Sequence, residues 1–256
     1  MLKGSNCIIL DLETARSADD CRHCGKELTM HYADGACTPW TGDRPGDDIT
    51  QWSKIGWDNK QDLGLGIGCY FDYTDDLYHW FDRYTLEATM RFFVERSPLL
   101  VSFNGIQFDF PLMRSLLRGE AERSMLLTDG SRQPREAELV ALCDAFKALC
   151  AISYDVLAEI WKRDPARKFE RGLNSLGALS VANGYGMKEM DGAQAPQLWR
   201  QGRYAEVIAY NVSDVLKTKK LFEQIVTTGQ LVRGDGQPIV VPLPPLTQYG
   251  GGDASP

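Results

Sequence analysis

Asp11 and Glu13 sit two residues apart in the run IILDLET, and this pair constrains the fold more than any other feature. On a β-strand, side chains two apart share a face, so both carboxylates project from one side of an otherwise apolar strand. Carboxylates placed against a core are costly unless something compensates their charge. Two further acids stand where local structure can aim them at the same point. Asp109 follows the apolar run LLVSF, which breaks at Asn104-Gly105, where a strand should give way to a helix. Asp214 lies four residues after Tyr210 on a helical stretch, so phenol and carboxylate share a helix face. Four converging acids repel one another unless cations hold them, and hard oxygen ligands suit magnesium or manganese.

The three segments resemble the DEDD superfamily of 3′–5′ exonucleases. Asp11-Leu12-Glu13 is similar to its first motif, D-x-E on a strand. Asn104-Gly105-Ile106-Gln107-Phe108-Asp109 is similar to N-G-x-x-F-D, the form found near family B polymerase proofreading domains. Tyr210-Asn211-Val212-Ser213-Asp214 is similar to Y-x-x-x-D. Ala209 stands five residues before Asp214, where the histidine version would place its histidine, so the resemblance is to the tyrosine subgroup.

This resemblance implies an α/β, ribonuclease H-like mixed sheet flanked by helices. It also implies a metal-dependent exonuclease that hydrolyses phosphodiester bonds at single-stranded 3′ ends and releases nucleoside 5′-monophosphates. DNA is the favoured substrate, since the nearest likeness is to polymerase proofreading. Asp11 would bridge two Mg²⁺ or Mn²⁺ ions, Glu13 and Asp214 would complete one site, and Asp109 would support the other. Two such ions about 3.5–4 Å apart activate a water and stabilise the leaving oxygen. The residue matching Tyr210 orients that water, and Thr14, Asn104 and Phe108 are the implied contacts to the terminal nucleotide. Two alternatives share the motifs: an RNA 3′-trimming enzyme, because the motifs do not read the sugar, and a non-cleaving end-binding module of a replication or repair complex.

The chain has 256 residues, room for one α/β domain with an insertion. We expect the domain over residues 1–233, an insertion at 15–62, and a Pro/Gly-rich extended tail at 234–256. The net charge of −7 argues against gripping long duplex DNA by bulk charge. It leaves room for an enzyme that holds a few nucleotides of a strand end. Seven cysteines, an odd count with no signal-peptide layout before them, point to a reduced cytoplasmic setting. No apolar run is long enough to cross a bilayer.

The insertion contains DCRHCGKELTMHYADGAC. Cys21 and Cys24 have half-knuckle spacing, and His31 and Cys37 could complete a tetrahedral structural zinc site, with His23 as a spare. Trp40, Trp52 and Trp57 lie in the same stretch, either as its own small core or as a surface on which bases stack. Lys162, Arg163, Arg167, Lys168 and Arg171 are interleaved with Trp161 and Phe169, which fits either a single-strand groove or a solvated helix end. Lys217, Lys219 and Lys220 read as the solvated outer face of the last helix. Cys143 and Cys150 read as helix core. The remaining pattern gives a hairpin of strands at 64–72 and 77–82, and a helix from Thr85 as cap to Arg96. A short helix from Pro111 to Leu117 and a loop over 119–136 come next, before a helix over 135–149 and a final one over 204–227. PIVVPLPPL reads as an arm able to dock a protein partner.

Overall fold

Strand β1 (Cys7–Thr14) lies at the centre of the sheet because both its faces are apolar for most of its length. Ile8, Leu10 and Leu12 enter one core cluster, while Cys7 and Ile9 enter a second on the opposite face. The computed structural model describes residues 2–20, 54–125 and 133–250. Strand β2 (Leu65–Asp72) pairs antiparallel with β1, and β3 (Leu77–Phe81) antiparallel with β2. Strands β4 (Leu99–Ser102) and β5 (Tyr154–Asp155) add on the other side of β1, both parallel. The order β3-β2-β1-β4-β5, flanked by helices, is a ribonuclease H-like α/β fold.

Helices α1 (Lys60–Leu63), α2 (Leu86–Arg96), α3 (Asp109–Met125) and α4 (Gln133–Ala151) supply the first cluster. From these helices Met90, Phe93, Phe110 and Phe146 contribute large buried side chains, and Leu139, Leu142, Cys143 and Leu149 close the cluster from α4. The second cluster is closed by α5 (Val156–Arg163), α6 (Leu176–Ala182) and above all α8 (Tyr204–Thr228), which buries Val215, Leu221, Phe222 and Ile225. Between them, α7 (Ala195–Arg200) carries Leu198 against Ile67 of β2. A hairpin of β6 (Gln230–Val232) and β7 (Pro238–Val240) follows α8.

Three expectations are corrected here. The loop over 119–136 is mostly helix: α3 runs on to Met125, and α4 starts at Gln133 with Pro134 in its first turn. Glu120-Ala121-Glu122-Arg123 lack an apolar stripe yet have high intrinsic helix propensity. Thr85 is not a side-chain cap: its hydroxyl accepts from the Asp82 N–H, and the Asp82 carboxylate takes the Tyr84 and Thr85 N–H groups. The Pro-rich stretch is not a free arm. Ile239, Val241 and Leu246 are buried in the second cluster, and the Tyr154 hydroxyl donates to the Pro242 carbonyl at 2.6 Å. Alternate apolar residues in PIVVPL have a face to bury, and the fold's own core offers it.

Gly68 of β2 faces the Phe81 ring so closely that an added Cβ would overlap it. Gly68→Ala is expected to cost about 1–3 kcal/mol by overpacking. Urea unfolding measures this, and an unchanged midpoint would show that Phe81 can move aside.

Candidate active site

The parallel strands β1, β4 and β5 bring three chain segments to one edge of the sheet, where their carboxyl ends lie. In open α/β sheets this is the edge at which ligands bind. The face of β1 that starts with Cys7 and Ile9 ends with Asp11 and Glu13, so strand alternation carries the acids to the side covered by α8. Helix α8 meets them with Tyr210, Asn211 and Asp214, all buried. Oxygens of Asp11, Glu13 and Asp214 lie within 4.8 Å of one another. Asn211 Nδ2 donates to Asp11 Oδ2 at 2.7 Å, tying strand to helix.

Asp109 stands a little apart from this trio. It opens α3, is buried, and lies close enough for Asp11 and Asp155 to act on it electrostatically. Its loop is held by Asp155, whose carboxylate accepts from the Asn104 N–H at 3.1 Å, the Ile106 N–H at 3.0 Å and the Ser102 hydroxyl at 3.2 Å. Asp155 also caps α5 through the Ala158 N–H at 3.0 Å. Asn104 adopts the left-handed region, φ 70°, which a short polar side chain tolerates. Gly105 has no room for a Cβ: it would meet Ser102 Cβ at 2.5 Å and Asp109 Oδ2 at 3.0 Å.

Crowding acids out of water has a clear electrostatic signature. Burial first, and then the charge of Asp214, push the Asp11 carboxyl up to about 8 against the opposing pull of Lys188 and Asn211. Burial holds Glu13 well above the usual carboxylate range, with Asp11 and Asp214 adding to the effect. Asp109 is raised in the same way by burial, then by Asp11 and Asp155. Asp214 is also raised by burial, although Lys188 and Tyr210 work against the shift. Burial and the acids around it raise the Tyr210 phenol, so it stays protonated at neutral pH and acts as a hydrogen-bonding group.

The donor set fits a hard divalent cation. Three carboxylates converge, and Asp214 Oδ1 and Asn211 Oδ1 are buried without a hydrogen-bond partner. Such orphaned oxygens call for a cation or ordered water. A second group, Asp72, Asp75 and His79, also lies together. Asp72 there is already engaged by Arg96 and the Thr74 N–H, and His79 pairs with Asp75.

The other expected residues are distributed as follows. Thr14 is buried at the end of β1, beside a bulge at Glu13/Thr14. Phe108 is half-buried, with the Trp57 ring edge against it at 5.8 Å. Cys21, Cys24, His31 and Cys37 of the expected zinc site lie outside the described residues, as do His23, Trp40 and Trp52. Arg167 is paired with Glu170 and Asp235, Lys162 with Glu159, and Arg163 Nε donates to the Val240 carbonyl. Lys168 lies over the Trp161 and Phe169 rings. Burial holds the Cys7, Cys69, Cys143 and Cys150 thiols above their ordinary range, which argues against a nucleophilic role.

Two lysines change the reading. Lys217 is buried rather than solvated, with its ammonium on the Ser213 hydroxyl and 3.6 Å from Glu189. Its position follows from α8 being packed on several sides, so the helix has little free outer face. Lys188 had no motif to mark it. Its ammonium lies 2.5 Å from Asp214 Oδ2 and 2.7 Å from the Tyr210 hydroxyl, inside the site. It comes from the irregular stretch between α6 and α7, and its aliphatic stem runs past Gly177 of α6 at 3.3 Å from an ideal Cβ. Gly192 of the turn before α7 gives the Tyr210 hydroxyl its room, since a Cβ there would lie 3.2 Å from it. Neither Lys188 nor Gly192 carries a local sequence signal; only the tertiary fold brings them in.

Among the described residues, no helix is long and apolar enough to cross a membrane. No curated protein and no solved structure matches the chain. One family does, described as "Predicted 3'-5' exonuclease related to the exonuclease domain of PolB", over residues 81–235. The matched stretch holds Asp109, Asp155, Lys188, Tyr210 and Asp214, more than half the chain. The fold lays Asp11 and Glu13 beside these residues from a strand outside the match. With more than half its length matched, the chain belongs to this family of predicted 3′–5′ exonucleases related to the exonuclease domain of PolB.

Proposed function

We propose that this protein hydrolyses the terminal phosphodiester of single-stranded 3′ ends, DNA first, in the manner of the tyrosine subgroup. The observation that carries the reading is the convergence of Asp11, Glu13 and Asp214 within 4.8 Å, with the Tyr210 hydroxyl beside them. Asp11, Glu13 and Asp214 would hold one cation, and Asp109 would support a second from the start of α3. Bound divalent cations supply the positive charge that lowers the pKa of the attacking water and stabilises the leaving oxygen.

The chain's own groups do the positioning. Tyr210 keeps its proton and presents a fixed hydroxyl, bonded to Lys188 and Asp214, that orients the attacking water. Lys188 aims an ammonium at the place where negative charge develops, already ordered by Asp214. Asn211 fixes the Asp11 carboxylate, and Asp155 fixes the loop that presents Asp109. The low-dielectric surroundings strengthen each of these contacts.

Lys188→Met is expected to lower kcat by about 10²-fold, the scale of one preorganised electrostatic donor. Single-turnover digestion of a labelled strand reads it, and wild-type kcat in this variant would remove Lys188 from the mechanism. Product chromatography tests the reaction itself: nucleoside 5′-monophosphates support the proposal, whereas oligonucleotide fragments would show an endonuclease.

A further inference from the structure

Residues 54–63 form a strap fastened at both ends. Ile55 is buried, its N–H bonds to the Asp20 carbonyl at 3.0 Å, and the Gly56 N–H bonds to the Ala18 carbonyl at 2.8 Å. Leu63 at the other end is fully buried, and the Gln61 side chain lies against Gly119 of α3, where only a glycine leaves it space. Between these anchors Trp57 is 64% exposed. The pinned backbone thus holds a broad, flat indole open to solvent.

Trp57 lies beside the acids' own loop. Its ring meets Phe108 edge-on at 5.8 Å, with the planes at 68°. Lys60 Nζ lies 4.3 Å from the centroid of that same Phe108 ring and feels the charges of Asp58 and Asp109. Phe108 is the residue before Asp109. Two aromatic surfaces and a cation therefore adjoin one flank of the carboxylate cluster, on a support too well anchored to drift.

We propose that Trp57 and Lys60 extend the nucleotide contact implied at Phe108 into a further subsite, with Trp57 stacking on an unpaired base of the bound strand and Lys60 engaging its phosphate. The inference rests on the exonuclease reading for its location beside the reacting end. Every base offers a π-face, so such a subsite selects single-stranded character rather than sequence. A duplex end has its bases already stacked and gains nothing from Trp57 until it frays. The strap thus makes the enzyme prefer unpaired ends.

The test measures binding with the full chain carrying Asp11→Asn, so that the strand is not consumed. Fluorescence anisotropy with 5′-fluorescein oligo(dT) and oligo(U) reads affinity in magnesium. Trp57→Ala is expected to weaken binding about tenfold. Trp57→Phe should recover most of this and Trp57→Leu should not, because bulk without a flat ring does not stack. Lys60→Gln should reduce the salt dependence by about 0.7 in log–log slope, the signature of one phosphate contact on a single strand.

Equal affinities for Trp57→Ala and its parent on both strands would overturn the subsite. Equal behaviour of the Phe and Leu variants would overturn stacking as its basis. The exonuclease reading fails separately: a wild-type chain that digests no strand, yet loses affinity on Trp57→Ala, keeps the subsite and loses the nuclease.

Discussion

Asp11→Asn and Asp214→Asn are each expected to reduce hydrolysis of a single-stranded 3′ end by at least about 10³-fold without loss of the fold. Each removes a ligand that no neighbour replaces, and a metal's charge stabilisation of several kcal/mol converts to that factor. The fold survives because the acids are a burden to it. The environment already disfavours ionised Asp11, so a neutral isostere removes repulsion, and its side-chain oxygen can still accept from Asn211. For Asp214→Asn the cost is the ion pair with Lys188, whose side chain is 29% exposed and can turn to water. Melting temperatures measured in chelator therefore stay level or rise for Asp11→Asn. Near wild-type rates from either purified variant would dismiss the metal-site assignment.

The metal-free protein is expected to lose stability as pH rises from about 6 to about 8, and divalent metal is expected to reverse the loss. The Asp11 carboxyl titrates near 4 in an unfolded chain and near 8 in the fold. Over that window the folded state retains a proton that the unfolded chain has released. Stability is therefore present in full below about pH 4 and falls as pH climbs toward 8. Glu13, Asp109 and Asp214 are shifted in the same direction and add to the slope. Lys188 opposes it by neutralising part of the cluster, so the effect is smaller than for four uncompensated acids. A bound cation displaces those protons and binds only the assembled site, so manganese raises the melting temperature more at about pH 8 than at about pH 6. Thermal unfolding with chelator and with manganese reads both arms. A melting temperature that rises with pH in chelator, or a manganese effect independent of pH, would contradict the burial of ionisable acids in this cluster.

The sequence revealed most of what local periodicity encodes. The D-x-E on β1, the helical face shared by Tyr210 and Asp214, and the core positions of α2 and α4 were legible because strand and helix periods fix which side chains share a face. The extent of α3 was not, because a polar helix made of good helix formers has no apolar stripe to announce it. Lys217 looked solvated because its burial depends on how many elements pack on α8, a tertiary fact. Lys188 was missed for a related reason: it enters the site from an irregular stretch, where no period predicts direction. The Pro-rich stretch misled in the other direction, since proline disfavours central strands but does not prevent a short β7 from docking on the core. Asp155 lies in no motif of the sequence, although its hydrogen bonds hold the second motif in place.

The most direct test of the account is a time course with 5′-labelled single-stranded DNA, beside RNA of matched sequence, with manganese, magnesium or chelator. The account predicts a ladder that shortens from the 3′ end only when metal is present, with DNA digested faster. Intact strands in every lane, from folded protein that still binds them, would contradict it and leave a module that recognises ends without cutting.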